Sequence, residues 1–110
     1  MRRWLLAALV AAQGCTAENA ATDAWAGRWT GPEGTYLAIA GAGGIYEITV
    51  KDLDAARTFN GSAAGNRIEF QRDGVMESIR ATNGDETGMK WLAGKKNCLT
   101  IKTGEGYCRD

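Results

Sequence analysis

The chain has 110 residues, with 13 lysines and arginines set against 13 aspartates and glutamates, and it has no histidine. That length holds one domain, and the balanced charge excludes the basic face that displaces counterions from nucleic acid. The missing imidazole excludes Ser-His and Cys-His nucleophilic pairs and most zinc sites.

Residues 1–14 read as a secretion signal: Arg2 and Arg3 open it, Trp4 to Ala12 is apolar, and small residues follow. The apolar run is too short for a membrane span, which needs roughly 20 residues in helix. Ala12-Gln13-Gly14-Cys15 resembles the lipobox of bacterial lipoproteins. The resemblance implies that Cys15 becomes the mature N-terminus, carries a diacylglyceryl group on its sulfur and anchors the protein to a membrane. Thr16, where an aspartate would retain such a protein in the inner membrane, implies the outer membrane and its periplasmic face. The alternative is an ordinary leader cut after Gly14 or Ala17, which gives a soluble periplasmic or secreted protein. An odd cysteine in an exported chain needs its own explanation, and lipidation supplies one.

Residues 15–24 are small and polar, without apolar periodicity, as a flexible tether requires. The folded body is then 25–110. A body that small buries a thin core and gains from a staple.

From Trp25 onward, short apolar alternations are punctuated by glycine, which predicts an all-β protein. Strands are expected near Gly27 to Thr30, Thr35 to Ala40, Ile45 to Lys51, Arg57 to Ala63, Arg67 to Arg72, Val75 to Thr82, Asn97 to Lys102, and Gly106 to Arg109. Leu37 with Ile39, Tyr46 with Ile48 and Val50, and Ile68 with Phe70 each mark one strand face. Gly41 to Gly44, Ala64-Gly65-Asn66, Asp73-Gly74 and Asn83-Gly84 suit tight turns. About eight short strands in meander order suggest a small antiparallel barrel, since closure leaves no raw edge.

Asp85 to Ala93, DETGMKWLA, breaks the alternation. It reads as a short helix before the C-terminal hairpin, with Asp85 as cap, Gly94 as terminator, and Met89, Leu92 and Ala93 on one side. A strand with Met89, Trp91 and Ala93 on one side is the alternative; Gly88 and the scarcity of β-branched residues weigh against it.

Cys98 and Cys108 flank a hairpin whose left-handed residue is Gly104. A three-residue loop, Lys102-Thr103-Gly104, pairs Ile101 with Glu105 and, counting outward, Cys98 with Cys108. A disulfide is expected there in an oxidising compartment, contributing roughly 2 to 3 kcal/mol on the loop-entropy model. A redox-active pair is the alternative, but the spacing is not that of Cys-x-x-Cys.

Candidate chemistry rests on carboxylates. Asp52 with Asp54, and Asp85 with Glu86, read as solvated turn acids. GAGGIY at 41–46 lacks the last glycine and the helix of a phosphate-binding loop. An even Asp73-Gly74 loop turns Glu77 inward with Ile68, Phe70, Val75 and Ile79, where a buried acid needs a partner such as Arg57 or Lys90. A bulge or odd loop turns it outward instead. Trp25, Trp29 and Trp91 suit core packing better than ligand contact.

Gly27-Arg28-Trp29 resembles the Gly-x-Trp that opens lipocalin and avidin-like barrels, which implies that Trp29 closes one end. The acylated leader, compact barrel, terminal disulfide and KWLAGKKNC stretch resemble the membrane-bound inhibitors of c-type lysozyme. The whole pattern resembles small proteobacterial lipoproteins. The function expected is therefore a non-enzymatic outer-membrane lipoprotein binding a periplasmic protein or small ligand, without a cofactor, through Glu77, Lys90, Trp91, Lys95 or Lys96. A lysozyme or protease inhibitor using the loop near Lys90 to Lys96 is the alternative. An enzyme working through Glu77 with a lysine or arginine is a third reading.

Overall fold

The structure, a computed structural model, describes residues 20–109. The leader, Cys15 and the first part of the expected tether lie outside the described residues, as does Asp110. Eight antiparallel strands follow one another in meander order: β1 (Gly27–Thr30), β2 (Tyr36–Ala42), β3 (Ile45–Lys51), β4 (Ala56–Ala64), β5 (Arg67–Arg72), β6 (Val75–Thr82), β7 (Cys98–Lys102) and β8 (Glu105–Cys108). Each pairs with the next, and β8 pairs with β1 to close a barrel. That last seam is held by a single residue pair, Thr30 opposite Cys108, with the Thr30 hydroxyl donating to the Cys108 carbonyl at 3.2 Å.

The alternating residues supply the core. Leu37, Ile39, Tyr46, Ile48, Val50, Ile68, Phe70 and Ile79 point inward and are buried with Trp29, Leu99, Ile101 and Tyr107. This chain therefore fills its lumen with side chains. Gly61 of β4 leaves room for this packing, because a Cβ there would lie 2.9 Å from Ile48 Cγ1 and 3.2 Å from Ile68 Cγ2.

The meander puts the β1–β2, β3–β4, β5–β6 and β7–β8 turns at one end, called distal below. The start of β1 and the end of β8 lie at the other, called N-terminal. Residues 20–24, expected in the tether, belong to the folded body. Ala21–Trp25 forms a 3-10 turn with Thr22 buried. The reason is Asp23, whose carboxylate accepts from the amides of Gly43 (2.9 Å) and Gly44 (3.1 Å) and from the Tyr46 hydroxyl (2.6 Å). Thr22 adds a 2.7 Å hydroxyl contact to the same tyrosine, so the segment is pinned over the N-terminal end.

Between β6 and β7, residues 83–97 form a strap over the outer face of β7 and β8. The helix expected over Asp85–Ala93 is instead two separate 3-10 turns, Asp85–Thr87 and Lys90–Leu92. Gly88 adopts a left-handed φ of 75° and Met89 is extended, so the first turn ends before an α-helical repeat begins. The cap is Asn83 rather than Asp85: its side-chain oxygen accepts from the Glu86 amide at 2.8 Å, and the Glu86 carboxylate accepts from the Asn83 amide at 3.0 Å. Asp85 accepts from the Gly94 amide, 3.0 Å away. Met89 and Leu92 share a face as expected, while Ala93 is exposed.

What they cover is the disulfide. Cys98 and Cys108 are opposite one another with Cα atoms 3.9 Å apart, bonded and buried, and Leu92 and Met89 pack on them as a second small core outside the barrel. The hairpin differs from expectation in one detail. Lys102, not Ile101, pairs with Glu105 across a two-residue turn, and a bulge between Thr100 and Lys102 absorbs the offset. Two one-residue errors thus cancel, and the cysteine register is the expected one.

Candidate functional site

At the distal end the inward faces of β5, β6 and β8 turn polar. The two-residue Asp73-Gly74 turn has positive φ at both positions, 54° and 79°, the primed geometry of a tight hairpin. It places Glu77 opposite Phe70, facing inward, with its side chain 12% exposed. Its partner is Arg72, not Arg57 or Lys90. Arg72 Nη2 is 3.1 Å from Glu77 Oε2, while Nη1 and Nη2 are 2.7 and 2.9 Å from the two oxygens of Glu105. One guanidinium thus forks onto one carboxylate and clips a second, with Lys102 Nζ at 4.0 Å from Glu77. The hydrogen bonds that Arg72 donates to Glu105, and then to Glu77, push its pKa still higher than usual against the opposing effect of burial. Arg57 turns instead to Asp73 at the surface, 2.6 Å away.

This arrangement holds both carboxylates on one cation. Tyr107 lies at the same mouth, and burial pushes its phenol well above the ordinary range. Beside the mouth is a depression of about 430 Å³ between the Pro32–Thr35 turn, Asp52-Leu53 and the β7–β8 tip, with Met89 and Tyr107 in its lining. Leu53 stands 66% exposed at its edge. Asp52 caps its own turn, accepting from the amides of Asp54 and Ala55 at 2.8 and 2.9 Å, which lowers its pKa.

The other expected contact residues collect on the strap. Trp91 is 74% exposed, so it is no core plug. Lys90, Lys95 and Lys96 are exposed on either side of it and form no ion pair among the described residues. The strap holds its shape through the Gly84 amide to the Lys95 carbonyl (2.7 Å) and through Leu92 on the disulfide. The structure therefore separates Glu77, at the distal mouth, from Lys90, Trp91, Lys95 and Lys96 on the strap.

Sequence reasoning missed Arg72, Glu105, Asp23 and Arg109, whose guanidinium donates to the carbonyls of Ala24 and Ala26 at the N-terminal end. Arg72 was within reach of the alternation, being two residues beyond Phe70 on the same face. Glu105 needed the bulged register, and nothing local marks Asp23 or Arg109. Among the described residues no cluster of three metal-ligating side chains occurs. No protein-family model matches the chain, and comparison with curated proteins and with solved structures returns no match.

Proposed function

We propose that this is a non-enzymatic lipoprotein of the bacterial outer membrane, held at the periplasmic face by acyl chains on Cys15, whose barrel binds a protein partner on its outer surface. The observation that carries the reading is the filled lumen: buried side chains occupy the space in which a cup-shaped barrel would hold a small ligand. Recognition then falls to the exterior. The distal depression suits it, with Leu53 and Met89 supplying apolar area and Glu33 and Asp52 an acidic rim. Radiolabelled palmitate should enter the protein and not its Cys15→Ala variant, and native mass spectrometry of the purified protein should show no retained small molecule. A stoichiometric small ligand would overturn exterior binding, and unlabelled wild-type protein would overturn the anchor.

A second reading, inhibition of a lysozyme or protease, is favoured by the exposed Trp91 on a braced strap, since a preformed loop loses little entropy on binding. A muramidase assay with micromolar protein separates the two. Inhibition lost in Trp91→Ala would support the inhibitor, and an unchanged rate would remove it.

A further inference from the structure

We propose that the barrel stands on its N-terminal end against the membrane, with Trp91, Lys90, Lys95 and Lys96 of the strap seated among anionic phospholipid headgroups. This rests on the acylation of Cys15 proposed above and adds which face meets the lipid.

The reach of the chain comes first. Ala20 is tied to the barrel because its amide donates to the Asp23 carboxylate at 3.3 Å, and that carboxylate is held by Gly43, Gly44 and Tyr46. Five residue steps separate Cys15 from Ala20. Fully extended they span at most about 17 Å. Acyl chains on Cys15 therefore keep the N-terminal end close to the headgroups.

The returning limb of the strap, from Leu92 onward, belongs to that end, whereas its far turn at Thr87 and Gly88 reaches the distal β7–β8 tip, where the Gly104 amide donates to the Thr87 carbonyl at 2.8 Å. Cys98 begins β7 and Cys108 ends β8, Leu92 packs on both, and Trp91 precedes Leu92. Lys95 and Lys96 lead directly into β7. Arg80, near the end of β6, is exposed and adds another cation without an ion pair among the described residues. The strap's own acids, Asp85 and Glu86, accept from strap amides. At the distal end, by contrast, Glu33, Asp52 and Asp54 are exposed without an ion pair among the described residues, while Asp73 is paired with Arg57. An anionic surface attracts the first end and repels the second.

The side-chain types fit a headgroup layer as well as the charge does. An exposed tryptophan has an apolar body and a polar N–H, the combination that settles at a lipid–water boundary, and flanking lysines bury their stems while keeping their charge wet. The disulfide beneath holds them in place beforehand.

The test uses the acylated protein in vesicles of phosphatidylcholine with one quarter phosphatidylglycerol, and a Trp91→Phe variant to isolate the Trp91 signal. We expect Trp91 to be quenched by brominated lipid and shielded from acrylamide. The shielding should fall at 0.5 M salt, where screening is strong, and in Lys95→Ala and Lys96→Ala by roughly five-fold for each lysine removed. Trp91 equally open to acrylamide on vesicles and in solution, in protein whose mass shows the acyl chains, would overturn the proposal. So would protection that appears only when a c-type lysozyme is added, which would assign the strap to a protein partner. If the mass shows no acyl chains, the anchor reading fails by itself. Flotation of that protein with the same vesicles then decides the surface: salt-sensitive binding lost in Trp91→Ala supports it, and no binding overturns it.

Discussion

The guanidinium of Arg109 lies 3.9 Å from the centre of the Trp29 ring and donates to the carbonyls of Ala24 and Ala26, each at 2.8 Å. Trp29 in turn donates its indole N–H to the Trp25 carbonyl at 2.8 Å. The residue after the last strand thus clamps the segment before the first strand onto the buried Trp29. Arg109→Ala should lower stability by about 2 kcal/mol, the sum of a cation–π contact and two modest hydrogen bonds. Urea denaturation checks it, as a lower midpoint at unchanged slope. Arg109→Lys, which keeps the charge without the fork, should recover less than half.

Asp23 makes the same end sensitive to acid. The Tyr46 hydroxyl, then the Gly43 amide, hold its carboxyl below the ordinary value of 3.8. As the pH falls the unfolded chain takes up this proton first, so the contribution is whole above about 3.8 and drains away as the pH drops through the folded value. Amide protection at Gly43 and Gly44, taken relative to the intrinsic exchange rate at each pH, should fall over that range. Asp23→Asn should exchange faster at neutral pH and lose the acid step; an identical profile would refute the assignment.

Arg72 is the most exacting position at the distal mouth. Arg72→Leu leaves Glu77 and Glu105, both largely buried, facing one another without their cation. A loss of about 3 kcal/mol is expected, because an uncompensated carboxylate costs more than the pair contributes. Replacing all three by apolar residues of similar size should restore much of it. Thermal denaturation of the single and triple variants measures both.

Most of the barrel was legible because a half-buried strand writes its register in alternation. Tyr46, Ile48 and Val50, or Ile68 and Phe70, name their face without help, whereas Asp73-Gly74 marks a turn but leaves open whether Glu77 faces in or out, which the primed two-residue geometry decides. The strap was not legible, because 3-10 turns carry no period and its residues answer to the disulfide beneath them. Thr87, for example, is wholly buried against Gly106, where a Cβ would come within 2.6 Å of it. The candidate site was legible in its residue types and not in its partners. The Arg72 fork joins positions 33 residues apart in the chain, and only the closed barrel brings them together.

Removing the disulfide separates local from global stability. Reduction, or Cys98→Ala with Cys108→Ala, should cost about 2 to 3 kcal/mol. Because Met89 and Leu92 rest on the sulfurs, the strap should suffer first. Trypsin should cut at Lys90 or Lys95 before the strands open, whereas the oxidised protein should resist; simultaneous loss of strap and barrel would contradict two separate cores.

The seam between β1 and β8 also dictates an order of events. Thr30 meets Cys108 at a sequence separation of 78, so the costliest loop closure in the molecule is also its last. Until the final strand is available, the first has only β2 to lean on and Cys98 lacks its disulfide partner Cys108. A chain emerging from its N-terminus, whether from a ribosome or through a membrane pore, therefore stays an open, curled sheet with two bare edges until its last few residues arrive.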